Sequence, residues 1–149
     1  MKEMIYEVVV DEFGTIRWFY NGKLHNENGP AVIYADGAQQ WYINGKFHNE
    51  NGPAIIYADG SKSWWINDKL HNENGPAIIF PNGYEEWWIN GNLHNENGPA
   101  VIYADGSKEY WINGKQLTEQ EFNARNKKCD HDGDVVTIDG VEYKLNRVS

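Results

Sequence analysis

Cysteine is all but missing from this chain. The single example, Cys129, cannot close an internal disulfide, so the fold holds together without covalent staples. Basic residues are also scarce: 13 Lys and Arg stand against 22 Asp and Glu, a formal net charge of −9. Nucleic-acid binders carry a basic stripe for phosphates; this balance argues against that class and leaves room for a partner with a basic surface. No apolar run approaches the roughly 18 residues that a membrane-crossing helix needs. Residues 1–11 lack the charged, apolar and small-residue succession of a signal peptide, so the expected compartment is a reducing cytoplasm. Aromatic residues are plentiful, with 7 Trp and 9 Tyr, and they must supply much of the buried area.

What organises the chain is one phrase, His-Asn-Glu-Asn-Gly-Pro-Ala, repeated without change at residues 25–31, 48–54, 71–77 and 94–100. The spacing is 23 residues each time, and Trp18, Trp41, Trp64, Trp87 and Tyr110 keep the same register. A fixed period without insertions means that each copy is one structural unit packed on the next. Aligned on Trp18, residues 1–17 form a degenerate half-unit, with Val8-Val9-Val10 where later copies have Ala and two β-branched residues; it reads as an N-terminal cap. Residues 18–117 then hold four units and a partial fifth.

Each unit contains two strand-like runs, such as Ala54-Ile55-Ile56-Tyr57 and Ser63-Trp64-Trp65-Ile66, separated by Asp59-Gly60. Asp-Gly between apolar runs predicts a hairpin with a tight primed turn. The second run ends at Asn44-Gly45 or its equivalents, Asn67-Asp68 being the exception, and the phrase containing His carries the chain to the next hairpin. The expected fold is an all-β repeat: an elongated, twisted antiparallel hairpin meander with about two strands and about 10 Å per unit. Period-two alternation places the Trp41 series on one face and Phe19, Tyr42, Trp65, Trp88 and Trp111 on the other. A half-solvated sheet needs only one apolar face, so the linker should cover one side, with Leu24, Phe47, Leu70 and Leu93 as its plugs.

Past Lys115 the pattern stops, and residues 118–149 read as a C-terminal cap. Thr118-Glu119-Gln120-Glu121 has capping-box spacing for a short helix over 118–128, with acids early and Lys127 and Lys128 late. A hairpin over 134–148 follows. The tail is expected to cover the last sheet edge, which would otherwise invite strand pairing.

Asn-Gly-Lys-x-His followed by Tyr-Ala-Asp-Gly-Ser-Lys, at this period and with recurrent aromatics, resembles MORN repeats, in the variant MORN-like form found in bacterial and phage proteins. The likeness spans about residues 8–115. It departs in the linker, where MORN units usually place Gly-x-Gly soon after Asn-Gly and this chain has the longer His-Asn-Glu-Asn-Gly-Pro. The resemblance implies stacked β-hairpins acting as scaffold or interaction surface, in some cases an antidote paired with a toxin. It implies no catalytic residues.

The chemistry-bearing residues are weighed on spacing. His25, His48, His71 and His94 form a file about 10 Å apart, whereas ligands of one zinc ion lie about 2 Å from it. They are therefore expected as structural linkers between units, with no metal and no cofactor. Glu27, Glu50, Glu73 and Glu96 run parallel to them, with Asp36, Asp59 and Asp105 at the hairpin tips. As mimics of phosphates, which bring one charge per about 1.7 Å of duplex, they are too sparse; as an acidic surface they suit a basic partner. The ladder of Tyr42, Trp65, Trp88 and Trp111 is the leading binding candidate, since rings in a row can stack on a peptide, sugar or base. Cys129-Asp130-His131-Asp132 lacks the second Cys or His pair that a metal site needs. These residues point to a non-catalytic protein-binding module, an inhibitor or immunity-type adaptor from a phage or mobile element acting in the host cytoplasm. The alternative is a small-molecule or glycan binder using the aromatic ladder. Sheet edges offer a route to a homodimer.

Overall fold

The structure, a computed structural model, describes residues 5–127, 135–138 and 141–144. It divides into two units, Met1–Gln116 and Leu117–Ser149, each taken by itself below. Cys129, Asp130, His131 and Asp132 lie outside the described residues, as do Lys128 and the ends of the hairpin expected over 134–148.

The first unit is built on an antiparallel meander of 12 strands that does not close into a barrel. It begins with Glu7–Val10 against Ile16–Tyr20. In this pair Val8 stands opposite Trp18 and Val10 opposite Ile16. Asp11 Oδ1 accepts the Phe13 and Thr15 N–H groups, and Asp11 Oδ2 meets Arg17 Nη1 at 2.8 Å, which fixes the first turn. Each later unit contributes two short strands, the first unit's being Val32–Ile33 and Gln39–Gln40.

Each unit carries a second hairpin beyond the two-strand expectation. Tyr42–Ile43 pairs back on Lys46–Phe47, Trp65–Ile66 on Lys69–Leu70 and Trp88–Ile89 on Asn92–Leu93. The residues expected to start a linker are thus a strand. The cause is the turn. Asn44 and Gly45 have φ of 53° and 80°, and every equivalent pair is likewise positive at both positions, the signature of a two-residue primed turn that matches strand twist. At the Asp-Gly tips only the glycine is positive, Gly37 at 90° for example. There Tyr34 N–H bonds to Ala38 O, giving a three-residue loop, and Asp36 Oδ1 accepts Ala38 N–H at 3.0 Å. The primed turn expected at Asp-Gly therefore sits at Asn-Gly, and the tip takes the three-residue form with glycine in the left-handed position.

The two hairpins of a unit meet at a Trp. Trp41 N–H donates to Ala54 O of the following unit at 2.8 Å, while Trp41 O accepts His48 N–H at 3.2 Å. One residue's backbone thus serves the long sheet on one side and its own second hairpin on the other. The alanine it meets has no room to be larger: Ala31, Ala54, Ala77 and Ala100 are all at 0 % exposure. Second hairpins are also joined to one another, Gly45 N–H donating to Leu24 O and Asn26 N–H to Tyr42 O, so the units are linked along two parallel rows.

In the second unit an α-helix runs Glu119–Lys127. Its capping box is formed: Thr118 N–H donates to Glu121 Oε2 at 2.8 Å and Glu121 N–H to Thr118 Oγ1 at 3.2 Å. Val135–Ile138 pairs antiparallel with Val141–Lys144. Among the described residues no helix is long and apolar enough to cross a membrane.

Candidate functional site

The repeated phrase folds as a laced loop. Asn26 Nδ2 donates to Pro30 O while its Oδ1 accepts Asn28 N–H, and Asn49, Asn72 and Asn95 do the same in their units. The preceding His faces the next unit. Asn44 N–H donates to His25 Nδ1, Asn90 N–H to His71 Nδ1 and Asn113 N–H to His94 Nδ1, at 3.0 to 3.1 Å. A nitrogen that accepts an N–H carries no proton, so Nε2 holds the ring hydrogen. That atom points toward the carboxylate of the same phrase, 3.4 to 3.8 Å away in Glu27, Glu50, Glu73 and Glu96. Among the described residues no three His, Cys, Asp or Glu side chains are grouped to hold a metal ion.

Successive loops leave open crevices on the Trp41 face. One, of about 390 Å³, is lined by Trp87, Ile102, Glu73 and Asn95 among others; another repeats the arrangement with Trp64, Glu50, His71 and Asn72. The acidic file of the phrase thus shares a surface with the Trp41 series.

The opposite face carries three parallel rows. The innermost is the ladder of Tyr42, Trp65, Trp88 and Trp111, all half-buried. The Tyr42 ring centroid lies 4.3 Å from that of Phe47, which in turn lies 5.7 Å from Trp65. Leu70 and Leu93 stand directly opposite Trp65 and Trp88. The plug residues therefore pack on this second ladder, on the face opposite the crevices. Burial, followed by the charges of Tyr34 and Asp68, pushes the Tyr42 hydroxyl up to about 12.

A middle row of polar side chains clamps the ladder. Gln40 Oε1 accepts both Tyr34 and Tyr42 hydroxyls, and Ser63 Oγ accepts Trp65 Nε1–H at 2.7 Å. In the next two units the position is a carboxylate: Glu86 accepts Trp88 Nε1–H at 2.5 Å and the Tyr84 hydroxyl, and Glu109 accepts Trp111 Nε1–H at 2.8 Å and the Tyr103 hydroxyl at 2.9 Å. Burial first, then the bond to Glu86, raises the Tyr84 hydroxyl well above its usual range; the Tyr103 hydroxyl is also raised, chiefly by its bond to Glu109.

The outermost row lies at the hairpin tips and is formed by Tyr34, Tyr57, Phe80 and Tyr103. Tyr57, Phe80 and Tyr103 are exposed by 47 %, 40 % and 37 %. Tyr84 adds a ring between the last two, its centroid 5.6 Å from Phe80 and 5.5 Å from Tyr103. This row was not among the candidates drawn from sequence, although its 23-residue spacing is visible there. Asp59 and Asp105 border it, their carboxyls held below the ordinary range by bonds from Ser61 and Ser107. No protein-family model matches the chain, and no curated protein matches it. The fold class is therefore carried by the structure: a β-hairpin repeat protein with an open sheet.

Proposed function

We propose that the chain is a non-catalytic protein-binding repeat module, of the variant MORN-like kind, that covers a basic surface on its partner. In the fuller form of this reading it is an inhibitor or immunity-type adaptor from a phage or mobile element, blocking a defence or toxin protein in the host cytoplasm. One observation supports it above the rest: a row of tip aromatics, Tyr57, Phe80 and Tyr103, left exposed and bordered by Asp59 and Asp105. Rings of this kind supply contact area at low entropic cost, and the surrounding acids select the sign of the partner. The test is affinity capture with the whole chain as bait, followed by reconstitution with the purified captured protein. A stoichiometric complex, weakened by salt and by Tyr57→Ala with Tyr103→Ala, is the expected result.

The crevices between loops favour a second reading, a glycan binder. Trp64 with Asn72 and Glu50 offers a stacking plane beside groups able to bond hydroxyls. Thermal stabilisation by an oligosaccharide, with no protein complex formed, would move the assignment there.

A further inference from the structure

We propose that Phe80, Tyr84 and Tyr103, with the carboxylates of Glu86 and Glu109 beneath them, form a binding site for arginine side chains of the partner. The inference rests on the protein-binding reading above and gives that surface a specific contact.

The repeat supplies its own control. The structural task at the middle-row position is to accept hydrogen bonds from a ring of the ladder and, in most units, from a tip tyrosine. Gln40 does this for Tyr34 and Tyr42 without charge, and Ser63 does it for Trp65. Glu86 and Glu109 make the same kinds of bond, so the fold does not require their charge. Both are half-buried. Among the described residues no Lys or Arg lies within salt-bridge reach of either. A partly desolvated carboxylate without a counter-ion is destabilising, and Glu86 belongs to the tip that departs from the pattern of its neighbours. Phe80-Pro81-Asn82-Gly83-Tyr84 replaces Tyr-Ala-Asp-Gly-Ser of the flanking tips, and the replacement brings in the third ring.

The chemistry of the occupant follows. A guanidinium is planar, stacks on Tyr and Phe faces, and donates two parallel bonds to a carboxylate. An ammonium is a point charge and makes less of the rings. Glu86 is opposite Val101, and Val101 is opposite Glu109. The two carboxylates thus stand two strands apart, about 9.6 Å. A polyproline segment repeats its face every three residues, about 9.3 Å, so Arg-x-x-Arg presents two guanidinium groups at the matching interval.

The experiment uses a fluorescein-labelled peptide, Gly-Arg-Pro-Pro-Arg-Gly, titrated by anisotropy against the whole chain, Glu86→Gln with Glu109→Gln, and Glu27→Gln with Glu50→Gln. The last pair removes the same charge on the Trp41 face, opposite the three rings of the proposed site, so non-specific attraction affects both variants alike. The expected result is at least a tenfold weakening in the Glu86/Glu109 variant, less than twofold in the Glu27/Glu50 variant, and weaker binding of the Lys-for-Arg peptide to the unsubstituted chain. Equal weakening in the two variants overturns the site while leaving a basic partner in place. Absence of binding to the unsubstituted chain overturns the site and counts against the basic-partner reading as well. Because Gln40 shows that the amide fits, loss of binding through unfolding is checked by circular dichroism, where the Glu86/Glu109 variant is expected to melt no lower than the unsubstituted chain.

Discussion

Asn44 N–H donates to the Nδ1 of His25, 19 residues earlier, at 3.0 Å. The bond recurs from Asn90 to His71 and from Asn113 to His94. His48 breaks the series: its Nδ1 is buried without a partner, and the turn it should meet is Asn67-Asp68 instead of Asn-Gly.

His48 and His71 therefore make a matched pair, their side chains 17 % and 18 % exposed. Replacing either by Ala removes similar packing, but only His71→Ala leaves an Asn N–H without its acceptor. His71→Ala is expected to destabilise the chain by about 1 kcal/mol more than His48→Ala, read from urea midpoints. Equal midpoints would mean that the Asn–His bond contributes nothing net.

Asp68 holds a φ of 63° where its counterparts in the other units are glycine. Its Oδ1 accepts Phe47 N–H at 2.8 Å, which offsets part of the strain. Asp68→Gly relieves roughly 1 kcal/mol of left-handed strain and restores the turn that lets Asn67 N–H approach His48 Nδ1. The expected net gain is about 1 kcal/mol, a rise in Tm of about 2–4 °C. A fall in Tm would show that the Asp68–Phe47 bond outweighs both.

Glycines of the repeat are not equivalent. At Gly22, φ is 72° and a Cβ would meet nothing within 4 Å, so Gly22→Ala isolates the conformational term, about 1 kcal/mol. Gly29 has no such φ and its Cβ would make an ordinary contact of 3.7 Å with Asn26 Nδ2. Gly29→Ala is expected within about 0.5 kcal/mol of the unsubstituted chain. Thermal denaturation of the two variants separates these outcomes.

Tyr42 predicts the alkaline behaviour. Its folded-state pKa is raised to about 12, so the folded state favours the neutral phenol. The stability it contributes is fully present below the unfolded value, about 10, and is lost as pH rises through about 12. Absorbance at the tyrosinate band should show a late-titrating class of phenols that loses one member in Tyr42→Phe. An unchanged titration curve in that variant would count against the burial of this hydroxyl.

Much of the architecture was legible because identical copies expose their own register. The spacing of the Trp residues set the length of the unit, and Thr118 with Glu121 marked the helix start. The second hairpin was hidden because Lys46–Phe47 is a two-residue strand, too short for alternation to register. The turn types were exchanged because composition alone does not tell a two-residue loop from a three-residue one; the bond from Tyr34 N–H to Ala38 O decides that. The tip aromatics were missed for a related reason. Tyr57 ends an apolar run and reads as strand, and only the loop geometry leaves it exposed.

Trp18, Trp41, Trp64 and Trp87 each reach the following alanine at the same 2.8 Å, so all four junctions are interchangeable parts. Removing or inserting one 23-residue block rejoins surfaces that already fit. The sheet is therefore modular, and its length is set in whole 23-residue steps.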